Sequence, residues 1–400
     1  MITLPKNNCF IPEFGVAKVE SFGMLYPVIN DYILSNRENE ESRAGEVKEL
    51  LDVKTMITNP IQRCVGGYGR DINIFFLLAE AMWIAVGRKD LEFLEMFNSR
   101  MKDFSDDGVT FHAPYGFRLR HWGIRTEDKY ENGVSAAQGY DQVADAVRLL
   151  SENKNTRQVV MSIWNPSFDL GFKTKDIPCN DIVMLKIRND KMITTVQNRS
   201  NDLHWGLPTN IFQFSFLTEI MAACLGIELG TQTHNSQSLH IYDWNGTAKK
   251  MQEIFQSSGI GHSLYEATPA EARKMDFDFS HDVAVNRLRE IDFHLSNVIE
   301  NLLRVKNGED EIQDEIKQLQ DFSTYFYNVY QLLKIYLLYK HKNKLSKSAE
   351  EKDAIRRTAI SEIELLEANG AKDWDMAILA KNFFYARLSK PMNHNYLGKL

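Results

Sequence analysis

A long apolar helix candidate, Thr209 to Leu225, constrains the fold most strongly because it is flanked by strand candidates. Two of these precede it, at residues 181–187 and 191–198, and they pair around a turn at residues 188–190. Residues 226–240 follow the helix as loop and strand. A helix that is apolar nearly all round has to be buried. The order therefore predicts an α+β fold, with a mixed sheet around a buried helix.

The chain changes character near residue 276. Helical periodicity with charged faces runs through residues 283–303, 310–340, 348–367 and 371–387. At 400 residues the chain exceeds the usual size of a single domain. We therefore predict an α+β domain at residues 1–275 and an all-helical C-terminal extension at residues 276–400.

Several shorter elements are predicted upstream of the core. Helices are expected at residues 26–34, 72–86 and 141–150, a strand or short helix at 47–58, and a strand at 159–164. The first forty residues otherwise resemble an extended lead-in. Gly87 is a plausible cap for the helix that precedes it.

Charge and cysteine content narrow the class of protein. With 47 basic and 54 acidic residues the formal net charge is −7, which gives no general field for nucleic acid. The four cysteines lack the spacing of a metal site or a disulfide framework, so we predict a reducing compartment and no metal. There is neither a secretory start nor an apolar run that could span a membrane. A cytoplasmic location without a membrane partner is expected.

One polar run carries the functional signal, Arg199-Ser200-Asn201-Asp202 followed by Gly206-Leu207-Pro208-Thr209-Asn210. An Arg-Ser pair can grip a phosphate through a guanidinium fork and a hydroxyl. The Asn210 amide offers one donor and one acceptor to the edge of a base. Upstream lies Cys179, within Asp176-Ile177-Pro178-Cys179-Asn180. Phosphate, base and thiol together indicate a nucleotide that is attacked covalently.

These residues resemble those of the thymidylate synthases and their pyrimidine-nucleotide hydroxymethylase relatives. In that family a Pro-Cys nucleophile precedes Arg-Ser-x-Asp, Gly-Leu-Pro-x-Asn and His-x-Tyr, and all of these occur here in order, ending at His240-Ile241-Tyr242. The likeness continues upstream and covers roughly residues 40–245. It rests there on Ser42-Arg43-Ala44-Gly45, Ala79-Glu80-Ala81-Met82-Trp83, Pro114-Tyr115-Gly116 and Thr156-Arg157-Gln158-Val159-Val160.

The resemblance implies a role for each matched residue, in a homodimer that binds dUMP and the cosubstrate 5,10-methylenetetrahydrofolate. The implied catalytic residues are Cys179, Glu80, Tyr115 and Arg199. The implied nucleotide ligands are Arg43, Arg157, Arg199 and Ser200 for the phosphate, Asn210 for uracil, and His240 and Tyr242 for the sugar hydroxyl. Asp202, Glu80 and Trp83 are the implied folate ligands.

Structural alternatives remain open for five of these residues. Cys179 is also compatible with an inert buried thiol. Glu80 is also compatible with a salt-bridged position on a half-exposed face, and Arg43 with a solvated loop. His240 is compatible with a satisfied core histidine, and Asp202 with an Asx turn.

The sequence departs from the synthases in ways that bear on the product. Asn180 follows the nucleophile where the synthases have His, no indole occurs near residues 102–104, and the C-terminus does not match their closing tail. A less sealed site admits water. We therefore predict that dUMP becomes 5-hydroxymethyl-dUMP. Thymidylate synthesis, dCMP hydroxymethylation and a silent nucleotide-binding scaffold are the alternatives. Gln158 replaces the second of two family arginines, which leaves Arg157 for a partner subunit's phosphate.

Overall fold

The computed structural model describes residues 2–4, 8–42, 45–65, 72–123, 139–242, 246–258, 264–267 and 270–388. Its strands are β1 Ile2–Leu4, β2 Asn8–Ile11, β3 Val16–Val19, β4 Asn39–Ser42, β5 Gly45–Ile57, β6 Val160–Ser162, β7 Asn180–Arg188, β8 Lys191–Asn198, β9 Asn201–Asp202 and β10 Glu228–Ile241. Its α-helices are α1 Phe22–Asn36, α2 Ile74–Ala85, α3 Leu91–Glu95, α4 Tyr115–Arg120, α5 Gln142–Glu152, α6 Pro166–Asp169, α7 Gly206–Cys224, α8 Thr247–Ser258, α9 Leu264–Ala267, α10 Ala284–Asn307, α11 Gln313–Phe322, α12 Thr324–Leu345, α13 Ala349–Leu366 and α14 Asp375–Tyr385. Tighter 3-10 turns occur at Pro12–Phe14 and Ser99–Phe104, and a π turn at Glu367–Ala371.

The strands of the described residues join into one ten-stranded mixed sheet, in the order β1-β2-β3-β5-β10-β8-β7-β6, with β4 beside β5 and β9 beside β10. β10 is the central strand. It pairs antiparallel with β5 and parallel with β8 and β9. The predicted hairpin of β7 and β8 is confirmed, and Asn189 and Asp190 adopt the positive φ angles that suit a tight hairpin turn.

The buried helix predicted at Thr209 is α7, which begins three residues earlier than expected and packs on β8, β9 and β10. Alternate β8 side chains are buried, at Met192, Thr194, Val196 and Asn198. Helix α2 also packs on α7. The mixed sheet with a buried helix is therefore confirmed.

The C-terminal helices share a hydrophobic core with α2 and α7. The rings of Phe75 on α2 and Tyr336 on α12 stack with centroids 4.5 Å apart. Arg120 of α4 donates through two nitrogens to Asp292 of α10. The helical character of residues 276–400 is confirmed for the part described. A domain boundary at residue 275 stays a prediction, because the apolar core runs across it.

Three local predictions differ from the structure. The lead-in contributes β1, β2 and β3 to the sheet, and α1 begins at Phe22 with Pro27 inside it. Around Tyr115, where no helix or strand was predicted, the chain forms helix α4. The helical segment 310–340 is divided at Ser323, whose side chain accepts the Phe326 N–H and caps α12.

Candidate active site

Cys179 immediately precedes β7, is half-buried and lies against the Arg199 side chain. The Arg199 guanidinium donates to the carbonyls of Ile177 and Pro178 at 3.2 and 2.8 Å, and its Nη2 lies 3.8 Å from Cys179 Sγ. The backbone N–H of Arg199 also donates to the Cys179 carbonyl at 3.1 Å. A fixed positive charge beside a thiol favours the thiolate. The structure therefore brings the predicted nucleophile and its predicted cation together.

Tyr115 completes this corner of the site. The Cys179 N–H donates to the Tyr115 hydroxyl at 3.4 Å, and burial raises the pKa of that phenol. A protonated hydroxyl therefore faces the nucleophile loop at neutral pH. Gly116 explains how Tyr115 reaches this place, because a Cβ at that position would collide with the backbone of Ile84 on α2. The glycine lets α4 approach α2 closely.

Glu80 projects from α2, and its Oε2 is buried without a hydrogen-bond partner among the described residues. Burial raises its pKa to about 8, against the opposing effect of a hydrogen bond from Gln213 of α7. The charge of Asp176 adds to the increase. A carboxyl of this kind holds its proton at pH 7 and can exchange it near neutrality.

Trp83 lies in the core rather than at the surface of the site. It is 3% exposed, its Nε1 donates to the Asp90 carbonyl at 3.0 Å, and its ring meets Phe111 edge-on at 5.7 Å. These contacts give it a structural role. The prediction that Trp83 contacts folate remains untested.

Asp202 serves two purposes at the N-terminus of α7. Its Oδ1 accepts the backbone N–H groups of His204, Trp205 and Gly206, as an Asx turn does. Its Oδ2 is buried and lacks a hydrogen-bond partner among the described residues. One oxygen thus fixes the turn and the other is left for a polar ligand.

His240 and Tyr242 lie near the end of β10, with ring centroids 4.9 Å apart. Register in the sheet places His240 beside Asp202, because β9 pairs with β10. Burial lowers the pKa of His240, although the Asp202 carboxylate opposes the change. A neutral imidazole can both donate and accept, which suits a hydroxyl ligand.

A chain of side-chain hydrogen bonds runs beneath this site. Asn198 donates to Asn180, Asn180 to Asn210 at 3.0 Å, Asn210 to Asn201 at 3.2 Å, and Asn201 to Ser236 Oγ at 3.0 Å. All five side chains are buried. The orientation of each amide is therefore tied to that of its neighbours in the chain.

The remaining predicted phosphate ligands lie at the periphery. Ser200 directly follows Arg199 and is half-buried, whereas Arg157 is exposed on the loop before β6. Arg43 lies outside the described residues.

Sequence reasoning overlooked Asn198, Asn201 and Gln213. It also overlooked that the charge of Asp176 raises the pKa of Glu80. The strand pattern gave a signal for Asn198, since it puts a polar residue at the end of a row of buried positions, Met192, Thr194 and Val196. No comparable signal marked Asn201, because its importance depends on Ser236 from a distant strand.

These features place a half-buried thiol beside a guanidinium and bring a buried carboxyl into the same site, which is the arrangement that an enzyme with covalent catalysis requires. The family model described as thymidylate synthase matches residues 68–326. The chain belongs to the thymidylate synthase family and is a one-carbon transferase.

Three curated relatives are bacteriophage proteins, each named deoxyuridylate hydroxymethyltransferase. The chain is 36% identical to that of Bacillus phage SP01 over 70% of this chain and 73% of the relative. It is 38% identical to that of Pseudomonas phage M6 over 51% of this chain and 54% of the relative. It is 32% identical to that of Delftia phage PhiW-14 over 51% of this chain and 55% of the relative. The matches to the last two relatives thus span about half of those proteins.

Proposed function

We propose that this protein transfers a one-carbon unit from 5,10-methylenetetrahydrofolate to C5 of dUMP and releases 5-hydroxymethyl-dUMP. The observation that carries the proposal is the Cys179 thiol, 3.8 Å from the Arg199 guanidinium, in a chain with three relatives that are named deoxyuridylate hydroxymethyltransferase. We place this activity in nucleotide biosynthesis in the cytoplasm. Among the helices of the described residues, none is both long and apolar enough to cross a membrane.

The nucleotide would be held at its phosphate, base and sugar by different elements. Arg199 and Ser200, with Arg43, would bind the phosphate. Asn210 would bind the O4 and N3–H of uracil, since its amide has one donor and one acceptor to offer. His240 and Tyr242 would bind the sugar hydroxyl.

Covalent attack would activate the base. Uracil C5 is a poor nucleophile, so the Cys179 thiolate adds to C6 and C5 becomes an enolate carbon. Tyr115, next to the Cys179 backbone, would help to remove the C5 proton. Product release then requires the C6–sulfur bond to break, which returns the thiolate beside Arg199.

The residues present fit the folate cosubstrate. Buried oxygens of Glu80 and Asp202 lack hydrogen-bond partners among the described residues, which suits a ligand with several N–H groups. When bound, 5,10-methylenetetrahydrofolate supplies the carbon that C5 attacks. Asp202 would orient the pterin, and Glu80 would position water and move protons. Within the described residues, no cluster of His, Cys, Asp and Glu could hold a metal ion.

Water is the proposed final nucleophile, and hydride from folate is the rival that would make dTMP. The description of the matching family model, thymidylate synthase, favours hydride transfer. Asn180 favours water, because it stands where the synthases have His. The side-chain amide of Asn180 also donates a hydrogen bond to Asn210 Oδ1.

Mass analysis of the nucleotide formed from dUMP and 5,10-methylenetetrahydrofolate tests the proposal. We expect the product to gain one formaldehyde unit, with no rise in dihydrofolate absorbance. A gain of one methylene, with a stoichiometric rise in that absorbance, would identify a thymidylate synthase instead. No adduct and no product would favour a silent scaffold.

We also propose a homodimer formed through the face of the sheet opposite α7. That face carries partly exposed side chains, among them Ile182, Met184 and Ile193, and Val160 at the edge is 51% exposed. Arg157 lies three residues from Val160, so it could reach the phosphate of a partner subunit.

Arg157→Ala should therefore raise the KM for dUMP much more than it lowers kcat. Mixing Arg157→Ala subunits with inactive Cys179→Ser subunits should restore low-KM sites, because each hybrid dimer contains one site with both groups intact. Arg148→Ala is the matched control, since Arg148 is an exposed arginine that pairs with Asp145 and Glu152. A monomer in sedimentation experiments at assay concentrations would refute this arrangement.

A further inference from the structure

Three polar side chains on two paired strands connect Glu49 to His240. Glu49 of β5 lies opposite His240 of β10 in the register of the sheet, so both side chains project from the same face. Ser238 projects from that face as well, because it lies two residues before His240. The Ser238 hydroxyl donates to Glu49 Oε2, and its oxygen lies 3.4 Å from His240 Nδ1. The three side chains therefore form a hydrogen-bonded series from the imidazole to the carboxylate.

The carboxylate end sets the direction of this series. A carboxylate accepts hydrogen bonds and cannot donate, so the single hydrogen of the Ser238 hydroxyl points at Glu49. Ser238 Oγ then faces the imidazole with its lone pairs, and only a protonated Nδ1 can bond to it. The series cannot reverse, because Glu49 has no hydrogen to give.

The imidazole of His240 has one proton to place. Burial lowers the pKa of His240 against the opposing effects of Asp202, the Ser238 backbone and Glu49, so the ring is neutral at pH 7. Asp202 is the other carboxylate beside the ring, but its Oδ2 accepts no hydrogen bond from the described residues. A proton on Nδ1 leaves Nε2 with a lone pair for a ligand.

We propose that Glu49 is a positioning residue which, through Ser238, fixes the tautomer of His240 and makes the site require a hydrogen-bond donor on the sugar. The inference rests on the proposed function only in placing the sugar hydroxyl at His240 Nε2. A free 3′-hydroxyl meets the requirement, whereas a fluorine or a phosphate ester at the same carbon can only accept and would face a lone pair. The site would thus select a mononucleotide whose 3′ oxygen is free.

The tautomer is measured by ¹⁵N NMR of the full-length protein with labelled histidine, since protonated and unprotonated ring nitrogens differ widely in chemical shift. His240→Asn identifies the His240 signals among those of the ten histidines. Wild type at pH 7 should show a protonated Nδ1 and an unprotonated Nε2. Glu49→Leu frees the Ser238 hydrogen to point at Nδ1, so a large share of the rings should carry the proton on Nε2.

Equilibrium binding should change with the tautomer. The probes are dUMP and its 3′-deoxy-3′-fluoro analogue, whose fluorine cannot donate. Wild type should bind dUMP about tenfold more tightly than the analogue, because the analogue loses one hydrogen bond and presents an acceptor to a lone pair. Glu49→Leu should lower this preference by about threefold or more. Ser238→Ala should act in the same direction, since it removes the link between Glu49 and the ring.

Two matched variants separate this role from general damage to the strands. Ser238→Thr keeps the hydroxyl in a strand that suits a β-branched residue, so it should keep the wild-type tautomer and preference. Glu46→Leu removes another glutamate of β5, one that accepts from Asn39 Nδ2 at 3.1 Å and projects from the opposite face. It should leave both measurements unchanged.

The inference is overturned if the wild-type ring carries its proton on Nε2, if Glu49→Leu leaves the tautomer as it is in wild type, or if Glu49→Leu weakens both nucleotides equally. Should the tautomer and the binding preference behave as expected while dUMP yields no hydroxymethylated product, the inference stands and the proposed function fails.

Discussion

Cys179→Ser should abolish product formation while the protein stays folded and binds dUMP. A serine hydroxyl ionises far less readily than a thiol, and the Arg199 charge at 3.8 Å does not make up the difference. Loss of the nucleophile in other covalent enzymes costs up to about 10⁶-fold in kcat, so a decrease of at least ~10³-fold is expected. Product formation from dUMP, followed by mass analysis, measures the effect.

Cys9→Ser is the matched control, because Cys9 is a half-buried cysteine on β2 outside the site. It should retain wild-type activity. A second readout uses 5-fluoro-dUMP with 5,10-methylenetetrahydrofolate, which should form a stable covalent complex with wild type and with Cys9→Ser. Activity of Cys179→Ser close to that of wild type, or an adduct on another residue, would contradict the assignment of the nucleophile.

The local parts of the fold were predictable from sequence, and the non-local pairings were not. Alternation and a tight turn predicted the hairpin of β7 and β8, and continuous apolarity predicted α7. Helix α7 begins earlier than predicted because the Asp202 side chain accepts hydrogen bonds from the backbone N–H groups of His204 and Gly206. Strand β3 was missed because a four-residue strand has little periodicity of its own, and because one of its two partners, β5, is distant in the sequence.

The same distinction between local motifs and non-local contacts applies to the site. The motifs predicted Cys179, Arg199 and Tyr115, and the structure brings these three side chains together. The amide chain could not be predicted, since Asn180, Asn201 and Ser236 lie on separate strands and meet only when the sheet forms. Trp83 was predicted from its motif, but its environment is that of a core residue.

Glu80→Gln should lower kcat by about 10²–10⁴-fold, the usual contribution of a general acid or base. Glutamine keeps the shape and the hydrogen-bonding ability of the acid but cannot exchange a proton. Because burial raises the pKa of Glu80 to about 8, the acid form prevails at pH 7, and kcat of the wild type should fall as the pH rises through that value. Glu92→Gln, the same change on the exposed side of α3, should retain normal activity.

The same raised pKa has a consequence for stability that separates Glu80 from an inert core residue. Between about pH 4.5 and pH 8 the folded state holds a proton that the unfolded chain has released, so the free energy of unfolding falls as the pH rises. The glutamine of Glu80→Gln has no proton to release, so the free energy of unfolding of this variant should not show this decrease. Urea unfolding at pH 6 and pH 9 should therefore show the variant gaining stability over the wild type at the higher pH. A variant that keeps both the activity and the pH dependence of the wild type would show that Glu80 neither carries the proton nor holds it in the folded state.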